Sequence, residues 1–230
     1  MDWSNILMIL VSSISLIITI CNIIFERFFN SKNQYIKMKI DNKNIQIAFN
    51  TNKDTILEEL KNIIESKELN KNLAITIINE YTVKLSNALT DFYPKNTFDI
   101  SVKRLDEKSN TLYSIGENNS LKKSTAYKVE ENTEFNAILN EHYRYFFVSD
   151  IDKFDELIMP YKNSNDNWNS LYKSSITVPI AKKQNSIYHI IGFICITSPQ
   201  SLNNTKKNKK IINLLESTSN ELYEILSKIS

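Results

Sequence analysis

The stretch Tyr172–Ser198, YKSSITVPIAKKQNSIYHIIGFICITS, constrains this chain more than any other. Its first arm, Ser174–Ala181, alternates. Ile176, Val178 and Ile180 fall on one face and Ser175 and Thr177 on the other, the period of two expected of a strand with a buried face. The polar turn KKQNS then reverses the chain. The second arm, Ile187–Thr197, becomes an almost unbroken apolar run through Ile190, Ile191, Phe193, Ile194, Cys195 and Ile196. A short run rich in β-branched residues suits a central strand covered on both faces. Gly192 removes a side chain in mid-strand, where another element or a ligand comes close. The chain is built around a sheet core.

With 230 residues, 42% of them hydrophobic, there is material for one domain of about 150 residues plus extensions. The net charge of +2 leaves no nucleic-acid footprint, so nucleic acid is not an expected partner. Cys21 and Cys195 stand in unrelated contexts and supply neither a disulfide framework nor zinc spacing.

No charged residue falls between Trp3 and Phe25, and the 20-residue run ILMILVSSISLIITICNIIF is long enough to span a bilayer as a helix. No Lys or Arg precedes it, whereas Arg27, Lys32, Lys37, Lys39 and Lys43 follow. That asymmetry predicts a single-pass cell-membrane protein with its C-terminal domain in the cytoplasm. Residues 1–25 are therefore expected to be an anchor, 26–70 a juxtamembrane linker and helix, and 71–230 the folded domain. Within the linker, Tyr35–Ile40 and Ile45–Phe49 alternate as a small hairpin would, and Asp54 is placed to cap a helix over Thr55–Ser66.

A second helix is expected over Lys71–Phe92, stopped by Pro94. Strands Thr97–Leu105 and Asn110–Ile115 follow, then a helix within Glu131–Tyr143 and a short strand Tyr145–Val148. Residues 151–171 read as a long polar loop with a helical turn at Lys153–Ile158; Tyr161, Trp168, Leu171 and Tyr172 are spaced to pack it down. The terminal helix, about Lys206–Lys228, carries Ile211, Leu215, Thr218, Leu222, Ile225 and Ile229 at alternating spacings of four and three. Such a stripe either packs on the sheet or forms a dimer seam.

The order helix, two strands, helix, strand, long loop, two strands, helix, with SSITVPI, IIGFICITS and IINLLE near the end and FNAILNEHYRYFFVSDI upstream, resembles a GAF domain of the GAF/PAS-like sensor superfamily over Leu73–Lys228. The resemblance implies an α+β fold. A central antiparallel sheet would carry the N- and C-terminal helices on one face and a pocket on the other. Carried over by position, Asp150–Tyr172 would roof that pocket, and Arg144, Tyr145, Phe147, Ser174 and Ser175 would line its floor.

Chemistry read from the residues favours binding over catalysis. His142 and His189 have no neighbouring Cys or carboxylate pattern for a triad or a metal site, so neither catalytic nor metal-binding residues are expected. Cys195 lies in a run that reads as buried and inert. No phosphate-binding or dinucleotide motif occurs. Tyr161, Trp168 and Tyr172 are candidates to stack on a planar ring. Arg144 is the candidate partner of an anionic group, with Asp150, Ser174 and Ser175 orienting by hydrogen bonds. The alternative is that the aromatics only pin the loop and that Arg144 and Asp150 are surface groups. The resulting expectation is a membrane-anchored cytoplasmic sensor that binds a small ligand and signals through a homodimer or a partner protein. Two other readings stay open: a ligand-free protein-interaction module at the membrane, and a membrane effector of a bacterial defence system. No cofactor is identifiable.

Overall fold

The computed structural model describes residues 48–65, 70–118, 126–165, 167–184 and 187–229. The expected anchor over 1–25 and the strand Tyr35–Ile40 lie outside the described residues. Among the described residues no helix is long and apolar enough to cross a membrane.

Six strands form one antiparallel sheet in the order β3-β2-β1-β6-β5-β4. They are β1 (Asp99–Asp106), β2 (Thr111–Glu117), β3 (Ala126–Lys128), β4 (Phe146–Val148), β5 (Ser174–Gln184) and β6 (Ile187–Ser198). The β5–β6 hairpin is central, as its composition requires. Its pairing runs from Ser174↔Ser198 to Gln184↔Ile187, so the reversal is tighter than the KKQNS turn. The edge strand β3 had no counterpart in the sequence reading; at three residues it is too short to show a period.

Strand register sorts the side chains. Ile100 and Val102 of β1, Ile194 and Ile196 of β6, and Ile176, Val178 and Ile180 of β5 share one face, all with 1% exposure or less. Helices α2 (Lys71–Phe92) and α6 (Thr205–Leu226) cover that face. Asn70 caps α2 by accepting from Leu73 N, and its buried stripe includes Ala74, Ile77, Ile78, Tyr81, Leu85 and Ala88. Lys207 Nζ, in the first turn of α6, donates to Phe92 O at the C-terminus of α2, where a cation is favoured. The four-three stripe of α6 is buried against the molecule's own sheet and α2, with Tyr81 Oη and Thr218 Oγ1 2.9 Å apart. It is therefore spent inside the domain and offers no dimer seam.

Helix α1 covers residues 48–65 and begins before the expected Thr55. Asp54 sits inside it rather than at its cap, and residues 48 and 49 are helical, not the end of a strand. The reason is Phe49. Its ring stacks on Phe92 at a centroid distance of 4.1 Å and is 2% exposed, which ties the first turn of α1 to α2.

The opposite face of the sheet carries a second apolar cluster, built on Phe193, Phe146 and Val148 and on Phe135 and Ile138 of α3 (Thr133–Leu139). The long loop is more regular than its sequence. It contains α4 (Ile151–Leu157) and the single turn α5 (Trp168–Leu171).

Candidate functional site

Register also gathers the polar residues. Asp99, Ser101 and Lys103 of β1 alternate with the apolar positions above, opposite Thr197, Cys195 and Phe193 of β6; Ser175 and Thr177 of β5 continue the row. This polar stripe is covered by α3 and the loop that follows α4. Ser175 and Thr177 are completely buried, Lys103 is 8% exposed and Cys195 4%. A buried sheet face made of hydroxyls and a lysine is costly unless each group is partnered.

Between stripe and cover lies a cavity of about 70 Å³, lined among others by Ser101, Lys103, Tyr127, Glu134, Tyr172 and Cys195. Glu134, in the first turn of α3, hangs from the roof and is 4% exposed. Tyr161 Oη and Ser175 Oγ both donate to its Oε2 at 2.9 Å. On the floor, Lys103 Nζ donates to Ser114 Oγ at 3.3 Å and lies 4.0 Å from the centroid of the Tyr127 ring. Burial raises the Glu134 carboxyl above the ordinary carboxylate range, against the pull of Ser175, Tyr161 and the Lys103 charge. Burial also pushes the Cys195 thiol up to about 12, so it is protonated at neutral pH. The Thr177 hydroxyl is buried without a hydrogen bond of good geometry.

The roof is held by the loop. Asn132 Nδ2 donates to Lys128 O and Ser164 Oγ, Ser164 N donates to Asn132 Oδ1, and Lys162 N donates to Thr133 Oγ1. On the other side Asn118 donates to Phe98 O and Ser86 Oγ and accepts from Ile100 N. Both amide NH2 groups spend their two donors on these bonds, and the side chains act as struts.

The residues expected from sequence divide into three groups. Tyr172 lines the cavity, and Tyr161 and Ser175 reach it through Glu134. Trp168 packs its edge on Tyr161 at 4.9 Å and Phe147 pairs with Ile176 on β4, so both belong to the cover and sheet. Asp150 caps α4 and accepts from Ser201 Oγ, while Ser174 Oγ donates to Gln200 O; these two fasten the loop ends. Arg144 and Tyr145 are not on the strand expected to hold them, because β4 starts at Phe146. Arg144 instead points outward, forming an ion pair with Glu216 of α6 through Nε–Oε1 (2.5 Å) and Nη2–Oε2 (2.9 Å). It lines a separate, wider groove of about 950 Å³ whose walls include Ile138, Val178 and Pro179. Among the described residues no cluster of metal-ligating side chains occurs.

Sequence reasoning missed Lys103 and Glu134. The available signal was the i, i+2, i+4 row Asp99, Ser101, Lys103, which reads as a solvent face until β6 and β5 place a second polar row beside it.

No protein-family model and no curated protein matches the chain. Solved structures do. A putative GAF sensor protein from Burkholderia vietnamiensis superposes with a TM-score of 0.55 at 13% identity, covering 79% of this chain and 98% of the other. The fold is GAF-like. A structure described as that of the GAF domain gives 0.53 at 18% identity over 76% and 90% of the two chains. The phycoerythrobilin-bound GAF domain of a cyanobacterial phytochrome gives 0.52 at 12% identity over 77% and 98%. Identities this low establish architecture alone.

Proposed function

We propose that this GAF-like domain is a sensory or regulatory module that takes a small polar ligand into the cavity between the β1–β6–β5 stripe and α3. The observation that carries the reading is the buried polar face itself. Lys103 and Glu134 are each more than nine-tenths buried, and among the described residues neither takes part in an ion pair. Buried charges without a direct partner destabilise a fold, and sites where they persist are candidates for ligand binding. The charge-free run Trp3–Phe25 supports an arrangement in which the module is held at a membrane, with the signal passed to a partner protein.

Native mass spectrometry of the full chain, purified gently from cells, tests the reading. The expected result is a retained small-molecule adduct that is lost in Lys103→Met. A clean apo mass would move the assignment to a protein-docking module. One observation favours that second reading: Leu157, Ile158 and Met159, at the C-terminal end of α4, are 79%, 67% and 43% exposed and form a contiguous apolar tip.

A further inference from the structure

The hydrogen-bond ledger of the cavity narrows its ligand, on the premise that the cavity is the sensory site. Tyr161 Oη and Ser175 Oγ both end on Oε2 of Glu134, and the Thr177 hydroxyl lies beside the same carboxyl without a hydrogen bond of good geometry, so Oε1 accepts no well-formed described hydrogen bond. An ammonium carries three N–H donors, and Lys103 spends one on a 3.3 Å bond to Ser114. A cation with spare donors thus lies on the floor and a carboxylate with a spare acceptor on the roof, in a single cavity. The amides around them, Asn118 and Asn132, have already spent both N–H donors on backbone and serine partners and offer none to an anionic group. Asp99 and Glu117 also line the space, so carboxylates outnumber the one lysine and a purely anionic ligand is opposed. A purely cationic ligand would leave Lys103 unmatched and add a like charge beside it. The volume of about 70 Å³ holds only a molecule of roughly five to seven heavy atoms, since one water-sized group occupies about 10–15 Å³ on this measure.

We propose that the cavity binds a small zwitterion of the amino-acid type, its carboxylate received by Lys103 and its ammonium by Glu134 Oε1. Each end of such a ligand completes a buried charge that the protein leaves without an ion-pair partner, and neither half of the molecule can do both.

The test is isothermal titration calorimetry of the full chain with L-alanine, L-serine and β-alanine, and in parallel with propionate and isopropylamine. The latter two are alanine without its ammonium and without its carboxylate. At least one zwitterion is expected to bind at least tenfold more tightly than either half-molecule. Lys103→Met and Glu134→Gln are each expected to weaken that binding tenfold or more while retaining a cooperative thermal transition. Equal binding of propionate or isopropylamine overturns the zwitterion but leaves a small-ligand sensor standing. Absence of binding by all three zwitterions overturns it as well. If native mass spectrometry then retains an adduct of another class, the sensory reading survives, and if it shows a clean apo mass both fall. Should a variant unfold, the comparison of probes on the unaltered chain decides alone.

Discussion

Glu134 is the residue whose chemistry and stability pull against each other. Its carboxyl is raised by burial, so the folded chain holds a proton there to higher pH than the unfolded chain, whose carboxyl titrates near 4.5. Between those two values the folded state binds more protons. The group's contribution to stability is therefore fullest below the unfolded value and declines as pH rises through the folded one. Glu134→Gln keeps an acceptor for Tyr161 and Ser175 while removing the charge. In the ligand-free protein it is expected to raise stability at pH values above the unfolded value and to flatten the fall in melting temperature as pH rises from there. Thermal melts across that range check this; an unchanged pH profile would show that Glu134 does not titrate there.

At the scale of elements, β1 and β6 meet at Gly192. A Cβ built there would fall 2.2 Å from Lys103 O and 3.3 Å from Leu226 Cδ1. The mid-strand glycine thus admits the neighbouring strand's backbone, not a ligand. Gly192→Ala should cost about 3 kcal/mol, because backbone cannot yield as a flexible side chain does. Urea denaturation measures it. The same substitution should weaken the site, since the carbonyl displaced belongs to Lys103, whose ammonium forms the floor. Gly116 plays a milder version of this part under α2, where the nearest obstacle is the Ile78 side chain at 2.6 Å.

For the molecule as a whole, the two faces of one sheet are put to different uses. The face under α2 and α6 is aliphatic at its centre, over Ile100, Val102, Ile176, Val178, Ile180, Ile194 and Ile196, and supplies the hydrophobic stabilisation. The other face divides between a satellite apolar cluster around Phe193 and Phe135 and the polar cavity. Helix α1 extends the first layer, with Phe49, Ile56 and Leu60 buried within the same compact unit as the sheet, Ala48–Ser230. Phe49→Ala is expected to lower the stability of that unit by about 3 kcal/mol, the cost of removing a buried stacked ring. A urea transition that keeps its midpoint would show instead that α1 adds nothing to the fold.

Local pattern determined the sheet's centre, the approximate span of α2 and the terminal helix, and the chemistry of Pro94 the stop of α2, because each is read from a few turns or strand pairs. The sequence reading also marked Tyr161 and Tyr172, as aromatics in a polar loop, and Ser175, by its position in the GAF resemblance; all three end beside the cavity. It misplaced Arg144 and Asp150, whose partners Glu216 and Ser201 lie far along the chain. It passed over Lys103 and Glu134 for the same reason. Each reads singly as a charge on a solvated strand or helix. Only the packing of α3 over the β1–β6–β5 register removes water from both and leaves them in one space. Burial of a charge is a property of everything that surrounds it, and the surroundings come from segments that the sequence keeps apart.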